Sequence, residues 1–411
     1  KPKDCKTDIL GKTMKYNDAT NVLTSLLREN NVYLGGSALG KGFRRAARWH
    51  LQQQQQQEDE ESFYVVDIGV VVSQYNQWRI HFPRVACYYA VKCNPDPLVI
   101  QTLAILGANF DCASQEEISL VQTLVRDLPR QPDIIYANPC KARSHIRNAV
   151  QRGVTLMTFD NVNEVEKCAS ISKEIQLILR IITNDSGSVC RLSSKYGAPR
   201  ETWRDLLQAA KDHGLKVVGI SFHVGSGCRD ASRYELALRD AKELHDVARD
   251  EYGFDMNIID IGGGFPGETH SLWNPAKRDK LQTSANDAAG SRFMFFDEIA
   301  EQVSPLLDEI FPESSQVKLI AEPGRYLVAA SCTLLTNVIG LRSNVVDKQN
   351  DSVNPIPDKV VAAALDAMTR EDENHIIDDQ VISTEDTLAK DVMEEMTEYA
   401  QLFARQNLAQ Q

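Results

Sequence analysis

Several short apolar segments of this sequence end in residues that can do chemistry. Lys92 closes YYAVK, and Asp111 lies in ANFDC with Glu117 six residues on. Arg180 ends LILR, and His223 ends ISFH, followed by VGSG with Ser226. Gly262, Gly263 and Gly264 follow the segment IIDI, and Glu322, Pro323, Gly324 and Arg325 follow LIA. A lysine amine is a nucleophile toward a carbonyl carbon. Glycine turns expose backbone N–H groups that can cradle a phosphate, with a serine hydroxyl and a guanidinium as further donors. Each residue alone has a plainer reading. A lysine at a strand end is usually a solvated charge, Asp111 and Glu117 could simply start a helix, and one histidine is more often a satisfied interior group. The weight lies in the set converging on one rim.

The run GGGFPG at 262–267 formally satisfies the dinucleotide fingerprint G-x-G-x-x-G. It fails as one, because Pro266 sits inside it and a polar segment, not a helix, follows; the helix N-terminus that a pyrophosphate needs is missing. Two glycine turns, at 262–264 and at Gly324, instead suggest a cradle for a single phosphate. A lysine, such a cradle, an acid and a flat-faced histidine on one rim are what pyridoxal phosphate chemistry requires. The lysine holds the cofactor as a Schiff base, and a carboxylate keeps the pyridine nitrogen protonated.

Such a rim needs elements to hold it. Eight segments read as strands: Cys87–Lys92, Ala108–Ala113, Ile134–Asn138, Thr155–Asp160, Gln176–Ile181, Val217–His223, Asn257–Gly262 and Val317–Gly324. They are short, apolar and not alternating, as expected of strands covered on both faces. Helix-like segments lie between them, at Pro97–Leu106, Glu116–Asp127, Ala142–Gly153, Val162–Ser170, Glu201–Gly214, Tyr234–Glu251 and Phe295–Phe311. Eight strands with helical crossovers predict an α/β fold, a (β/α)8 TIM barrel over 81–330, with its site at the carboxyl ends of the strands. A doubly wound open sheet gives the same alternation and is the alternative. Ahead of the barrel, 63–80 reads as a strand and a connection. Behind it, 331–411 reads as the start of a second β domain, with Tyr326–Leu341 a β segment leading off the barrel, then a polar loop and an acidic amphipathic helix over Asp378–Asn407.

The chain has 411 residues, 43% hydrophobic and 25% charged, which is ordinary for a globular protein. A net charge of −12 argues against nucleic acid or an anionic membrane as partner. Nine cysteines without C-x-x-C spacing read as reduced thiols of a cytoplasmic protein, not as disulfides or a zinc site, and no metal is expected. No apolar run reaches the length of a membrane span. Within 1–62, a helical stretch at Ala19–Arg28 precedes a basic cluster, Lys41–Arg48, then Gln52–Gln57 and Glu58–Glu61, read as a solvated, disordered insertion.

YYAVKCNPDP, ANFDCASQEEI, IIYANPCK, LILRI, SFHVGSGC, DIGGGFPG and AEPGRYLVA, in this order from about Ser62 to Gly340, resemble the eukaryotic ornithine decarboxylase group. That group belongs to the alanine-racemase-like, fold III pyridoxal phosphate enzymes. The resemblance implies decarboxylation of L-ornithine to putrescine, a homodimer and an antizyme-type regulator as partner. It implies Lys92 as the Schiff-base lysine, Glu322 facing the pyridine nitrogen, and His223 stacked on the ring. Ser226, Gly263, Gly264, Gly324 and Arg325 would contact the phosphate. Asp111, Glu117 and Arg180 would orient lysine and ring, and Lys195 would lie near the dimer interface. It also implies a C-terminal β domain carrying an aspartate for the substrate's distal amine and a cysteine, aspartate and tyrosine for the partner's site. No counterpart of these is legible in 342–411, and Lys1 stands where Met is expected, so the chain reads as truncated. Decarboxylation of lysine or arginine, and an antizyme-inhibitor-like role without catalysis, are the alternatives.

Overall fold

Runs of Val, Ile, Leu and aromatic residues too short for a buried helix become parallel strands when helices cover one face and a closed interior covers the other. A computed structural model describes residues 50–54, 61–228, 230–267 and 294–336. After a short strand β1 (Phe63–Val66), eight strands follow: β2 (Val85–Ala90), β3 (Asn109–Cys112), β4 (Ile134–Tyr136), β5 (Leu156–Phe159), β6 (Gln176–Arg180), β7 (Lys216–Ser221), β8 (Ile258–Asp260) and β9 (Lys318–Ala321). They form a closed barrel in sequence order, all parallel, with β2 closing on β9 through Val85–Leu319 and Cys87–Ala321. The open-sheet alternative is thereby excluded. All eight expected strands are present, each ending before its expected last residue; β2 and β7 begin two residues and one residue earlier than expected, and β4 and β6 share the expected starts Ile134 and Gln176.

The crossover helices are α2 (Pro97–Leu106), α3 (Gln115–Leu124), α4 (Arg143–Gln151), α5 (Val162–Ala169), α6 (Trp203–Asp212), α7 (Ser232–Asp250) and α8 (Phe296–Ile310). Their starts follow local chemistry. The Asp96 side chain accepts from the N–H groups of Leu98 and Val99 beside a proline in the first turn, and Ser114 and Asn161 cap α3 and α5. Gly107 ends α2 at φ +101°, a backbone conformation that a side chain would strain.

One expectation gains detail and two need correcting. The connection before the barrel is a 14-residue helix, α1 (Ile68–His81), capped by Asp67. Buried Gln74 and outward Val72 and Ile80 blur its apolar period. Arg325–Val328 form a short helix, α9, where a β segment was expected; the strand β10 (Cys332–Leu335) comes only after it. Residues 50–54 are helical, so the glutamine run is structured at least through Gln54, whose amide donates to the Glu61 carbonyl at 2.7 Å. The helices expected at Ala19–Arg28 and within Asp378–Asn407 lie outside the described residues. The chain divides into two compact units, 1–30 with 64–333 and 31–63 with 334–411. Among the described residues no helix is long and apolar enough to cross a membrane.

Inside the barrel, Tyr88, Ile135, Ala137, Ile178, Val218 and Ile320 form a separate apolar layer. Below it, the Lys318 ammonium donates to the Tyr88 hydroxyl at 2.9 Å and to Asp133 at 3.2 Å. Outside, Trp78 of α1, Phe82 just after it and Phe296 of α8 surround Phe265, and Tyr326 of α9 packs on Trp78 and Phe296. Phe265 also stacks on Tyr234 of α7 at 5.0 Å between ring centroids. Aromatic contacts of this kind contribute about 0.5–1.5 kcal/mol each beyond their buried area. They root the glycine turn that carries Phe265 in the core. Gln74 of α1 joins two turns, its amide donating to the carbonyls of Tyr326 (3.0 Å) and Gly267 (3.4 Å).

Candidate active site

Side chains two residues apart on a strand share a face. Ile178, Ile320 and the partly buried Ile258 line the apolar interior, so Arg180, Glu322 and Asp260 point inward one step nearer the carboxyl end. Asp111 is level with the inward Ile135, and Arg180, Ser221 and Asp260 are successive register partners across β6, β7 and β8. The apolar layer is thus roofed by three carboxyls and an arginine.

Lys92 stands in the 3-10 turn Val91–Cys93, just past the end of β2 rather than within it. Its ammonium pairs with the Asp111 carboxylate, which is fully buried, while the lysine side chain stays 46% exposed in the open mouth. Burial acts against the ammonium, but the Asp111 and Glu322 carboxyls outweigh it and hold the lysine above its usual range. Asp111 keeps one oxygen, Oδ1, without a partner, and so does Glu322 at Oε1. Burial and the neighbouring Asp111 and Asp260 push Glu322 well above the usual carboxylate range. The Arg180 guanidinium lies 5.2 Å from the ring centre of Tyr196.

The His223 ring is fixed from its own turn: Nδ1 accepts the Gly225 N–H at 3.0 Å, and a Cβ on Gly263 would lie 2.9 Å from Nε2. Burial, Arg180 and Lys92 lower its pKa to about 3, so the ring is neutral at physiological pH. Gly262, at φ +65°, brings the chain so close to Phe222 that a Cβ would overlap its carbonyl at 1.9 Å. No residue but glycine fits. A Cβ on Gly324 would strike the Cys93 sulfur at 2.2 Å, and one on Gly264 the Gly225 carbonyl at 2.7 Å. Arg325 Nε donates to Ser226 Oγ at 3.1 Å, joining the turns after β7 and β9. The loop after β6 is stitched over them: Cys190 and Ser226 exchange two backbone hydrogen bonds of 3.0 Å, and Ser188 Oγ donates to the Val224 carbonyl. Buried Asp185 holds that loop, accepting from the N–H groups of Leu192 and Ser193.

The rim therefore brings together Lys92, Asp111, Arg180, His223 and Glu322, and separately joins Ser226 to Arg325 beside Gly263, Gly264 and Gly324. Glu117 stands beside this cluster, within electrostatic reach of Asp111 and Lys92. Its carboxylate accepts the Ala113 N–H at 2.8 Å and its own N–H donates to Ser114, the helix-start role of an acid in the first turn of α3. Lys195 is exposed. Asp260 and Asp185 were not singled out in the sequence. The signal for Asp260 was its place two residues past an inward isoleucine on a strand; Asp185, in a loop, offered none.

A match to the family "Pyridoxal-dependent decarboxylase, pyridoxal binding domain" runs over residues 68–329. The chain belongs to the pyridoxal-dependent decarboxylase family. Ornithine decarboxylase of Mus musculus is 44% identical over 282 residues, covering 69% of this chain and 56% of that protein. Antizyme inhibitor 2 of Xenopus laevis is also 44% identical, over 300 residues, covering 72% of this chain and 60% of that protein. The arginine decarboxylase structure of Paramecium bursaria Chlorella virus superposes with a TM-score of 0.62 at 30% identity, covering 72% of this chain and 73% of that one. This chain thus spans little more than half the length of the curated relatives it matches.

The residues of this decarboxylase-family rim fit pyridoxal phosphate. An amine stands in an open mouth, two buried carboxyl oxygens lack partners, and glycine turns with Ser226 and Arg325 leave no room for added side chains.

Proposed function

We propose that the protein is a pyridoxal phosphate-dependent decarboxylase acting on L-ornithine to give putrescine. The observation that carries this reading is the lysine–carboxylate pair of Lys92 and Asp111 beside the buried, partnerless oxygen of Glu322. Bound pyridoxal phosphate supplies an aldehyde that condenses with amines and a ring that takes up the electrons left when a carboxylate departs as carbon dioxide. Lys92 is the amine that holds it, and Asp111 keeps that lysine oriented as an ammonium until it is needed. Glu322 faces the ring nitrogen and stabilises a proton there. His223, neutral and held at Nδ1, offers a flat face without adding charge. Ser226, Gly263, Gly264, Gly324 and Arg325 receive the phosphate, and Arg180 balances the carboxyls of the roof. These groups are fixed before substrate arrives, so little reorganisation is required during the reaction.

As substrate, ornithine is favoured by the 44% identity to the mouse enzyme; the viral relative's arginine substrate is the competing choice. We place the protein in the cytoplasm, in keeping with eight free cysteines among the described residues. Its proposed assembly is a homodimer, with an antizyme-type regulator as further partner. The test is release of carbon dioxide from labelled L-ornithine, L-lysine and L-arginine by the full-length protein loaded with cofactor. Release from ornithine at the highest kcat/KM is expected; release from none of the three would sink the reading. A second reading, an antizyme-inhibitor-like protein without catalysis, is raised by the Xenopus relative. A visible absorbance band on adding pyridoxal phosphate, lost in Lys92→Ala, counts against it.

A further inference from the structure

Asp260 ends β8 fully buried, and its Oδ1 accepts the Gly262 N–H at 2.8 Å. Its other oxygen, Oδ2, has no partner. The Glu322 backbone N–H donates to the Gly262 carbonyl at 2.7 Å, so the Asp260 side chain and the Glu322 backbone hold the same glycine on adjacent strands, and the two buried carboxyls act on each other electrostatically. Glu322 likewise has an oxygen without a donor. Ionised carboxylates only accept hydrogen bonds, so two of them buried side by side repel and leave oxygens unsatisfied. One proton between them removes both penalties.

We propose that Asp260 is a positioning residue that shares a single proton with Glu322 and thereby sets the charge Glu322 presents at the mouth of the barrel. The charges around the pair agree. Lys92 faces it from the turn after β2, Asp111 from β3 and Arg180 from β6, with His223 following β7. His223 is neutral. Two cations then stand against three carboxyls, and one shared proton leaves two negative charges against two positive ones. Burial supports the same state by pushing Asp260 up to about 7 and Glu322 well above its usual range. The consequence for the cofactor rests on the reading of Glu322 given above. An unprotonated ring nitrogen held there would take that proton, the O–H bond of the pair breaking as an N–H bond forms. Its proton would then come from within the site and not from solvent.

The shared proton is tested without cofactor, by isotope-edited infrared spectroscopy of the cofactor-free protein at neutral pH. A protonated-carboxyl C=O band that shifts with 13C-aspartate or 13C-glutamate labelling is expected in the wild type. It should vanish in both Asp260→Asn and Glu322→Gln. The amide oxygen introduced by Asp260→Asn still accepts the Gly262 N–H, so a merely structural Asp260 would leave the band in place. Absence of a labelled band in the wild type overturns the proposal even if neither variant folds, and so does a band that survives both substitutions. Proton transfer is tested by titration calorimetry with pyridoxal phosphate in buffers of different ionisation enthalpy. Asp260→Asn should take up about one more proton per site than the wild type; equal uptake overturns the transfer. Failure of the wild type to bind would instead overturn the cofactor reading and leave the infrared result standing.

Discussion

The two ends of the barrel each set a lysine against a carboxylate, with opposite results. At the amino end Lys318 meets Asp133 and the Tyr88 hydroxyl, and Arg130 bonds Asn109 and the Ala108 carbonyl. None of these side chains is left with a buried atom wanting a partner. At the carboxyl end Lys92 meets Asp111, yet Asp111 and Ser221 keep buried polar atoms without partners, and Asp260 and Glu322 have for theirs only the proton proposed between them. An unsatisfied buried group costs roughly 1–3 kcal/mol, so one end is closed and the other is held open at a cost in stability. The lesson is that equivalent ion pairs serve stability or chemistry according to whether their neighbours are satisfied.

Breaking the open end should have the largest effect. Lys92→Ala is expected to abolish the visible cofactor band and to lower kcat/KM by about 10³-fold or more, since no other amine can take its place. Steady-state rates and absorbance titration check this. Glu322→Gln, which keeps shape but not charge, should lower kcat by about 10²–10³-fold, with a smaller change in KM. Arg325→Ala removes one charge-assisted donor and should weaken pyridoxal phosphate binding by roughly 10- to 100-fold, read by fluorescence titration of the cofactor-free protein.

The closed end should respond in stability alone. Lys318→Met is expected to leave kcat/KM within about twofold and to change unfolding free energy by about 1 kcal/mol or less, because the pair is half exposed. A loss of activity there would undo the contrast between the ends. A separate effect, confined to low pH, concerns acid. The folded pKa of His223, near 3, lies below its unfolded value, so the unfolded chain binds more protons between the two and stability falls as pH drops from about 6.5 toward 3. His223→Phe should flatten that slope by about one proton, measured by urea unfolding at stepped pH.

Much of this was legible in the residues. Strand density in Val and Ile located all eight barrel strands, because parallel strands covered on both faces cannot alternate. The rim residues followed from barrel geometry, with Lys92 displaced only from the strand end into the turn. What stayed hidden depended on contacts distant in sequence. Helix α1 buries a single stripe, but polar Gln74 lies within it while Val72 and Ile80 lie off it, so no clean amphipathic period marks the helix. Tyr326-Leu-Val reads as β by composition, yet the turn at Gly324 and burial of Tyr326 against Phe296 wind it into a helix. Glu117 reads as a site acid from its place near the rim, and the Ala113 N–H that its carboxylate accepts fixes its orientation there. Asp260 became visible only when its register beside Ser221 and its effect on Glu322 were known.

Gln74 carries a consequence for anyone cutting this chain. One amide in α1 grips Gly267 and Tyr326, and the Tyr326 hydroxyl donates back to the Gln74 carbonyl. A fragment begun at residue 82 would keep every barrel strand and still lose the clasp between the two loops proposed to seat the phosphate. The smallest portable version of this cofactor module therefore starts before Asp67, a helix earlier than the barrel itself.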